Sequence, residues 1–427
     1  PKFKPLKWAI RENYYHRHYD SLRNYSWLVS SLLPNMEYNA VEGVVMNLGT
    51  TYNHTAYKRR LNFSIEPTVR YGFNNGHLNA WTHFVFQNRD SAASASRTYT
   101  FSGGKRVSEF NKQSTIHPLI NAISTLCYGK NYLKLYENYY GLFNYGVKKE
   151  NGLNYFANLL FEDRMPLENS STFTFRKKDT IHITPNYPNE RIPAQFIQHQ
   201  AFIVTVGASY QPGQRFIQFP HYKSPIGSKY PVFSVEYTKG IKGIFGSDVD
   251  FDKWSFQVSG NKNFKLAGTF RYKAGVGGFI NNNAVPIQDY QHFNGNRMIN
   301  AGEYVNSFQL APYYANSTTA PFYTIGHVEH HFNGLFTNKI PLFRRLNWHL
   351  VAGSNAFFVN KNNNYAEVFI GMENIFKIFR VDAIAAYENG RRGLTGIRIG
   401  TGGILGGRVK VNTSQRLEKL RGNFTGK

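Results

Sequence analysis

The stretch "LNFSIEPTVRYGF", residues 61–73, sorts its side chains by alternate position. Leu61, Phe63, Ile65, Val69, Tyr71 and Phe73 fall on one face, and Asn62, Ser64, Glu66, Thr68, Arg70 and Gly72 on the other. A repeat of two is the signature of a β-strand with one apolar and one polar face. "KLAGTFRYKAGV" (265–276) and "FRVDAIAAY" (379–387) repeat it, with Arg271, Lys273, Arg380 and Asp382 on the polar side. Alternation alone suits a soluble sandwich as well as a membrane barrel. Strand length decides: the runs extend for roughly 9–14 residues, longer than the usual 5–6 and sufficient for a tilted strand to cross a bilayer. Tyr, Phe and Trp gather at the strand ends, as an aromatic girdle requires.

Composition agrees. Aromatic residues make up 16% of the 427-residue chain, including 29 Tyr and 35 Phe, yet mean hydropathy is −0.45. Strands with one greasy and one wet face produce that pairing. No run approaches the ~18 apolar residues of a membrane helix, which excludes a helical membrane protein. The single cysteine, Cys127, cannot form an internal disulfide. The chain opens abruptly at Pro1-Lys2-Phe3-Lys4 without a signal peptide, which marks a processed chain or, the preferred reading, part of a longer one.

Sixteen strands can be placed, near 42–53, 60–73, 77–88, 95–104, 131–147, 152–163, 171–177, 200–210, 230–239, 252–261, 264–279, 321–333, 346–359, 364–372, 378–388 and 393–402. The expected fold is all-β: a closed antiparallel transmembrane barrel of about 16 strands. Residues 1–40 form a periplasmic lead-in, 41–411 the barrel and 412–427 a tail. "STIHPLINAISTL" (114–126) sets Ile116, Ile120 and Ile123 on one helical stripe and predicts a short periplasmic helix.

Enzyme signals are missing. "GTGGILGG" (400–407) departs from a dinucleotide fingerprint at Leu405, and neither a Walker pattern nor a GxSxG elbow occurs. The chain reads as a non-enzyme without a cofactor. Lys and Arg exceed Asp and Glu by 24, 50 against 26. They are scattered through strands and turns, so they argue against nucleic acid and for lipid phosphates or a charged lumen.

From 264 to 402 the chain resembles the C-terminal part of BamA- and TamA-type outer-membrane assembly barrels. The segments carrying the resemblance are "HFNGNR" (292–297), "GHVEHHF" (326–332), "NKIPLFRRLN" (338–347), "LVAGSNAFF" (350–358) and "EVFIGMENIFKIFRVDAIAAY" (367–387). More narrowly, "YNAVEGVVMNLG" (38–49), "EYTKGIKGIFGSDVDFDKWSF" (236–256), "EHHFNGLFTNKIPLFRRLNW" (329–348) and "MENIFKIFRVD" (372–382) are similar to an uncharacterised family of Bacteroidota outer-membrane barrels that usually carry an N-terminal carboxypeptidase-regulatory-like domain. The resemblance implies an outer-membrane location and a long outer loop, about 280–320, folded back into the barrel. Its motif would be Phe293, Asn294, Gly295, Asn296 and Arg297. Arg297 is expected to pair with Glu329 or Asp382, and Gly295 to permit a tight turn.

Other candidates come from the strands themselves. His327, Glu329 and His331 share a strand face, as zinc ligands at alternate positions would; equally, they are polar lumen-facing wall residues. Arg70, Arg271, Lys273, Arg380 and Arg398 should point inward, because charge facing lipid is costly. The barrel seam is expected between the first strand, with Val44, Met46 and Leu48, and the last, with Gly396, Gly400 and Gly402. The implied role is in envelope assembly, of outer-membrane proteins or lipid. The expected partners are outer-membrane lipid, lipopolysaccharide and other outer-membrane or periplasmic proteins. A passive pore or transporter, or an anchor for an N-terminal periplasmic domain, remains an alternative.

Overall fold

A computed structural model of the chain describes residues 4–19, 24–56, 61–90, 95–175, 182–188, 196–218 and 223–401. Two strands, β1 (Tyr14–Tyr19) and β2 (Asn24–Val29), and a short β3 (Met36–Asn39) precede the first long one, β4 (Gly43–Ala56). Then come β5 (Leu61–Gly72), β6 (Leu78–Asp90), β7 (Ala95–Glu109), β8 (Leu135–Lys149), β9 (Leu153–Pro166) and β10 (His199–Tyr210). A separate hairpin, β11 (Arg215–Gln218) with β12 (Lys223–Gly227), precedes β13 (Val232–Gly240), β14 (Asp250–Asn263) and β15 (Thr269–Ala284). The series closes with β16 (Tyr323–His331), β17 (His349–Asn360), β18 (Asn363–Ile375), β19 (Phe379–Glu388) and β20 (Arg391–Thr401). Three short helices are α1 (Pro5–Ile10), α2 (Pro118–Tyr128) and α3 (Pro341–Leu346).

All strands except the separate hairpin belong to one sheet of 18. From β4 to β20 it is an antiparallel meander in which each strand pairs with its chain neighbour, β10 pairing with β13 past the hairpin. On the far side of β4, β2 pairs with Thr50–Thr55 and β3 with Gly43–Met46. They are one strand position interrupted by the Leu33–Asn35 turn, where Pro34 withholds a ladder donor. β1 pairs with β2. Among the described residues no ladder joins β20 to the β1–β3 edge, so closure of the sheet is not observed.

The sheet is inverted relative to a soluble sandwich. On β18, Val368 and Ile370 are 49% and 54% exposed, while Glu367 and Phe369, which alternate with them, are buried. On β19, Val381 faces out, whereas Arg380 and Asp382 are buried. β20 repeats this with exposed Ile397 and Ile399 around buried Arg398. Polar residues inside and apolar ones outside suit an apolar solvent on the outer face. Among the described residues no helix is long and apolar enough to cross a membrane.

Three expectations are corrected. The strand expected at 171–177 does not form over 171–175, and 176–177 lie outside the described residues. β9 pairs directly with β10, leaving no place for it, and an additional strand position is formed by β2 and β3 beside β4, inside the supposed lead-in. The strand expected at 171–177 also reversed the parity of the connections. The helix α2 was expected at the opposite end from the long loop, but six strands, β8 to β15 without the hairpin, separate the two connections and place them at one end. Asn111 Nδ2 donates to Asn294 Oδ1 at 2.8 Å, and the Tyr132 and Tyr313 rings lie 5.0 Å apart. Finally, the buried face of α2 is Asn121, Ala122 and Thr125, with Ile123 exposed. Asn121 accepts from the backbone N–H groups of Tyr132 and Leu133, so hydrogen bonding outranks the isoleucine stripe.

Candidate functional site

The connection between β15 and β16, residues 285–322, lies against the polar face of the sheet. Its apolar side chains Phe293, Tyr304, Phe308 and Leu310 pack with Val351, Phe357, Phe369 and Ile384 of the wall in one buried cluster. Phe293 stacks on Phe357 with centroids 4.0 Å apart, and Phe308 meets Phe357 and Tyr365 edge-on.

Polar anchors surround that cluster. Glu367 accepts the backbone N–H groups of Gln309 at 2.7 Å and Leu310 at 3.1 Å. Asn355 Nδ2 and Tyr365 Oη donate to the same carboxylate at 2.7 and 2.8 Å. Arg398 Nε donates to Gln309 O at 2.8 Å. Tyr304 Oη donates to Asp382 Oδ2 at 2.7 Å, and Arg380 lies over the Tyr304 ring at 4.1 Å. Both carboxylates, Glu367 and Asp382, are paired, as burial demands.

A second anchorage lies on β9, six strands from β18 through β10 and β13–β17. Arg164 donates to both oxygens of Asp289, at 2.6 and 3.1 Å, and its Nε to Glu162 at 2.9 Å. Lys112 joins Glu162 at 3.1 Å. Burial opposes ionisation of Asp289, but Arg164 and Lys112 outweigh it and hold the carboxyl below its usual range. Burial, reinforced by Lys253, pushes the His292 imidazole down to about 3. Residues 285–322 therefore span the interior between two separated arcs of one curved sheet.

The sequence candidates fall as follows. Phe293, Asn294, Gly295 and Asn296 are inside: Asn294 Nδ2 donates to Asn306 O at 3.1 Å and Asn296 Nδ2 to Asn300 O at 2.6 Å. Gly295 makes no left-handed turn. It is needed because a Cβ there would lie 2.2 Å from Pro312 O. Arg297 is a correction: its side chain is exposed and makes no ion pair with Glu329 or Asp382, while its backbone N–H donates to Tyr313 Oη at 3.2 Å. Glu329 and Asp382 are occupied by Arg380, whose Nη1 meets Glu329 and whose Nε lies 2.8 Å from Asp382. Arg380 reaches Asp382 from two residues away on one strand face, which a loop arginine cannot match at the same entropic cost.

His327, Glu329 and His331 do not converge. His327 Nδ1 lies 3.0 Å from Asn355 Oδ1, while His331 sits between Glu329 and Glu373 at 3.1 and 2.9 Å. Among the described residues no group of three candidate metal ligands occurs. The five basic residues all meet polar groups: Arg70 Nε donates to Glu42 at 2.9 Å, Lys273 to Asn306 at 2.7 Å, and Arg271 lies 3.7 Å from Glu329.

The seam also moves. Val44, Met46 and Leu48 lie on β4, which is flanked on one side by β2 and β3 and on the other by β5, so β4 is not an edge. Gly402 lies outside the described residues. On β20, Gly396 and Gly400 make room for the internal segment: added Cβ atoms would come within 2.9 Å of Leu310 and 3.1 Å of Ala301. The free edge of β20 is met by that segment. Ile399 N donates to Ile299 O at 2.9 Å and Ala301 N to Ile399 O at 2.8 Å, an isolated parallel bridge.

Sequence reasoning missed Glu367, Arg164 and Asp289, and it expected Arg398 inside without its partner Gln309. Tyr365, Glu367 and Phe369 could have been grouped by alternation, since all three share a face of β18.

BamA from Haemophilus ducreyi lacking POTRA domains 1–3 superposes with a TM-score of 0.45 at 10% identity, covering 92% of this chain and 75% of that one. CdiB from Acinetobacter baumannii gives 0.38 at 9% identity, covering 91% and 64%, so this chain spans less than two thirds of that protein. CdiB from Escherichia coli gives 0.38 at 9%, covering 92% and 67%. No curated protein sequence matches. A family model does, over residues 10–372, and the chain accordingly belongs to the family of unknown function DUF5686, as its C-terminal domain.

Proposed function

We propose that this chain is an integral outer-membrane β-barrel with a role in envelope assembly, inserting or stabilising other outer-membrane components. The observation that carries the membrane reading is the inversion of the sheet, with Val368, Ile370, Val381 and Ile397 outside and Glu367, Asp382 and Arg398 buried inside. The connections at residues 110–134 and 285–322, and the described parts 167–175, 182–188 and 196–198 of the one between β9 and β10, occupy one end. That end faces outward, since outer loops are the longer ones.

Two features favour assembly over a passive pore. The internal segment is fixed at Asp289 and again at Gln309, on two separated arcs, which obstructs an open passage. Among the described residues the edge of β20 is held by two hydrogen bonds of that segment and not by a continuous ladder; such an edge can accept an extended strand.

Planar-bilayer recording and crosslinking test this. The full chain should give no sustained open conductance, and a photo-crosslinking residue at Thr395 should capture nascent outer-membrane proteins in cells. Large steady conductance would establish the pore; a silent chain without captured clients would leave the anchor.

A further inference from the structure

Three turns at the opposite end from the internal segment are joined side by side. They are residues 261–268, the end of β14 and its turn to β15, 332–348 between β16 and β17, and 374–378, the end of β18 and its turn to β19. His330 Nε2 lies 2.8 Å from Ala267 O and its ring 6.2 Å from Phe264, which ties the first turn to β16. Asn374 Nδ2 donates to Asn347 O at 2.7 Å, tying the third turn to the second. The three turns hold six cations, Lys262, Lys265, Lys339, Arg344, Arg345 and Lys377, and no Asp or Glu. All six are exposed, and none has an ion-pair partner among the described residues. Beside them stand exposed Leu266, Phe336, Ile340, Leu342, Leu346 and Phe376. Glu373, which adjoins the third turn, is engaged by His331.

We propose that this linked surface docks on the anionic phospholipid headgroups of the adjoining, periplasmic leaflet. The cations take the phosphates, while the neighbouring leucines and phenylalanines enter the acyl boundary. Acid-free basic charge interleaved with large apolar side chains has the chemistry of such an interface. An exposed apolar patch without its cations would suit a protein partner better. The inference rests on the membrane reading above and adds a lipid class and a place.

The test uses the full chain purified in a neutral detergent, with phosphatidylglycerol or phosphatidylcholine added and bound lipid read by native mass spectrometry. Lys339→Gln/Arg344→Gln/Arg345→Gln is compared with Lys130→Gln/Arg297→Gln/Lys361→Gln at the opposite end. Wild type should retain phosphatidylglycerol over phosphatidylcholine. The first variant should lose that retention about fivefold or more, the second should keep it, and added salt should weaken it. Equal retention in both variants, no preference for the anionic lipid, or a dimer that the first variant abolishes independently of lipid would overturn the proposal. Insertion into phosphatidylcholine vesicles, followed by protease protection, is measured in parallel. An inserted chain without lipid preference defeats this inference alone, and a chain that does not insert defeats the membrane reading and this inference together.

Discussion

Glu367 on β18 accepts the backbone N–H of Gln309 at 2.7 Å, so a buried wall carboxylate holds the middle of a segment 58 residues earlier in the chain. The same carboxylate also receives Leu310 N, Asn355 Nδ2 and Tyr365 Oη. Glu367→Ala leaves these donors without an acceptor, at a cost of roughly 2–5 kcal/mol. Its melting temperature in detergent should fall clearly below that of Asn362→Ala, an exposed change expected to stay within about 0.5 kcal/mol of wild type.

Arg297 and Arg398 should separate in the same assay. Arg297→Ala removes an exposed side chain and should be near neutral. Arg398→Ala removes the donor to Gln309 O and should cost about 1–3 kcal/mol. A larger loss for Arg297 would return the motif arginine to the centre of the account.

Acid should loosen the segment. His292, buried beside Ser317 Oγ at 2.8 Å, has its pKa pushed down to about 3 by burial. The folded state therefore keeps it neutral while the unfolded chain takes up a proton below about pH 6.5. Stability should fall as pH drops from about 6.5 towards 3, by about 1.4 kcal/mol per unit at most. Asp289, held low by Arg164, adds a further loss only below the ordinary carboxylate range. After correction for the slower intrinsic exchange at lower pH, protection of residues 285–322 against hydrogen exchange should drop between pH 7 and 4 in wild type, with a flatter response in His292→Gln.

Ala301 and Gly400 should be linkable. A Cβ at Gly400 would lie 3.1 Å from that of Ala301, slightly inside the usual disulfide spacing. In a Cys127→Ala background, Ala301→Cys/Gly400→Cys should oxidise to an intramolecular bond detectable by mass. Persistence of two free thiols under oxidation would mean the segment leaves the β20 edge in solution.

Much of the sheet was legible because alternation needs no tertiary information: "VFIG" at 368–371 already separates Val368 and Ile370 from Phe369. Pro34 concealed β2 and β3 by dividing one strand position into two short pieces. "STFTF" at 171–175 alternates equally well yet is not a strand, and that one miscount reversed the side assigned to α2. The segment's presence inside rested on resemblance, but its partners did not follow. The Glu367 ligands are backbone N–H groups, which every residue but proline carries and no motif marks.

The most direct measurement of the membrane-facing sheet is a cysteine scan of β18 from Ala366 to Gly371 in the Cys127→Ala protein, reconstituted in vesicles and quenched by a lipid-borne probe. Cysteines at Val368 and Ile370 should be quenched by lipid, and those at Glu367 and Phe369 should be shielded. Uniform quenching along the strand, or the opposite alternation, would contradict the barrel with a polar interior.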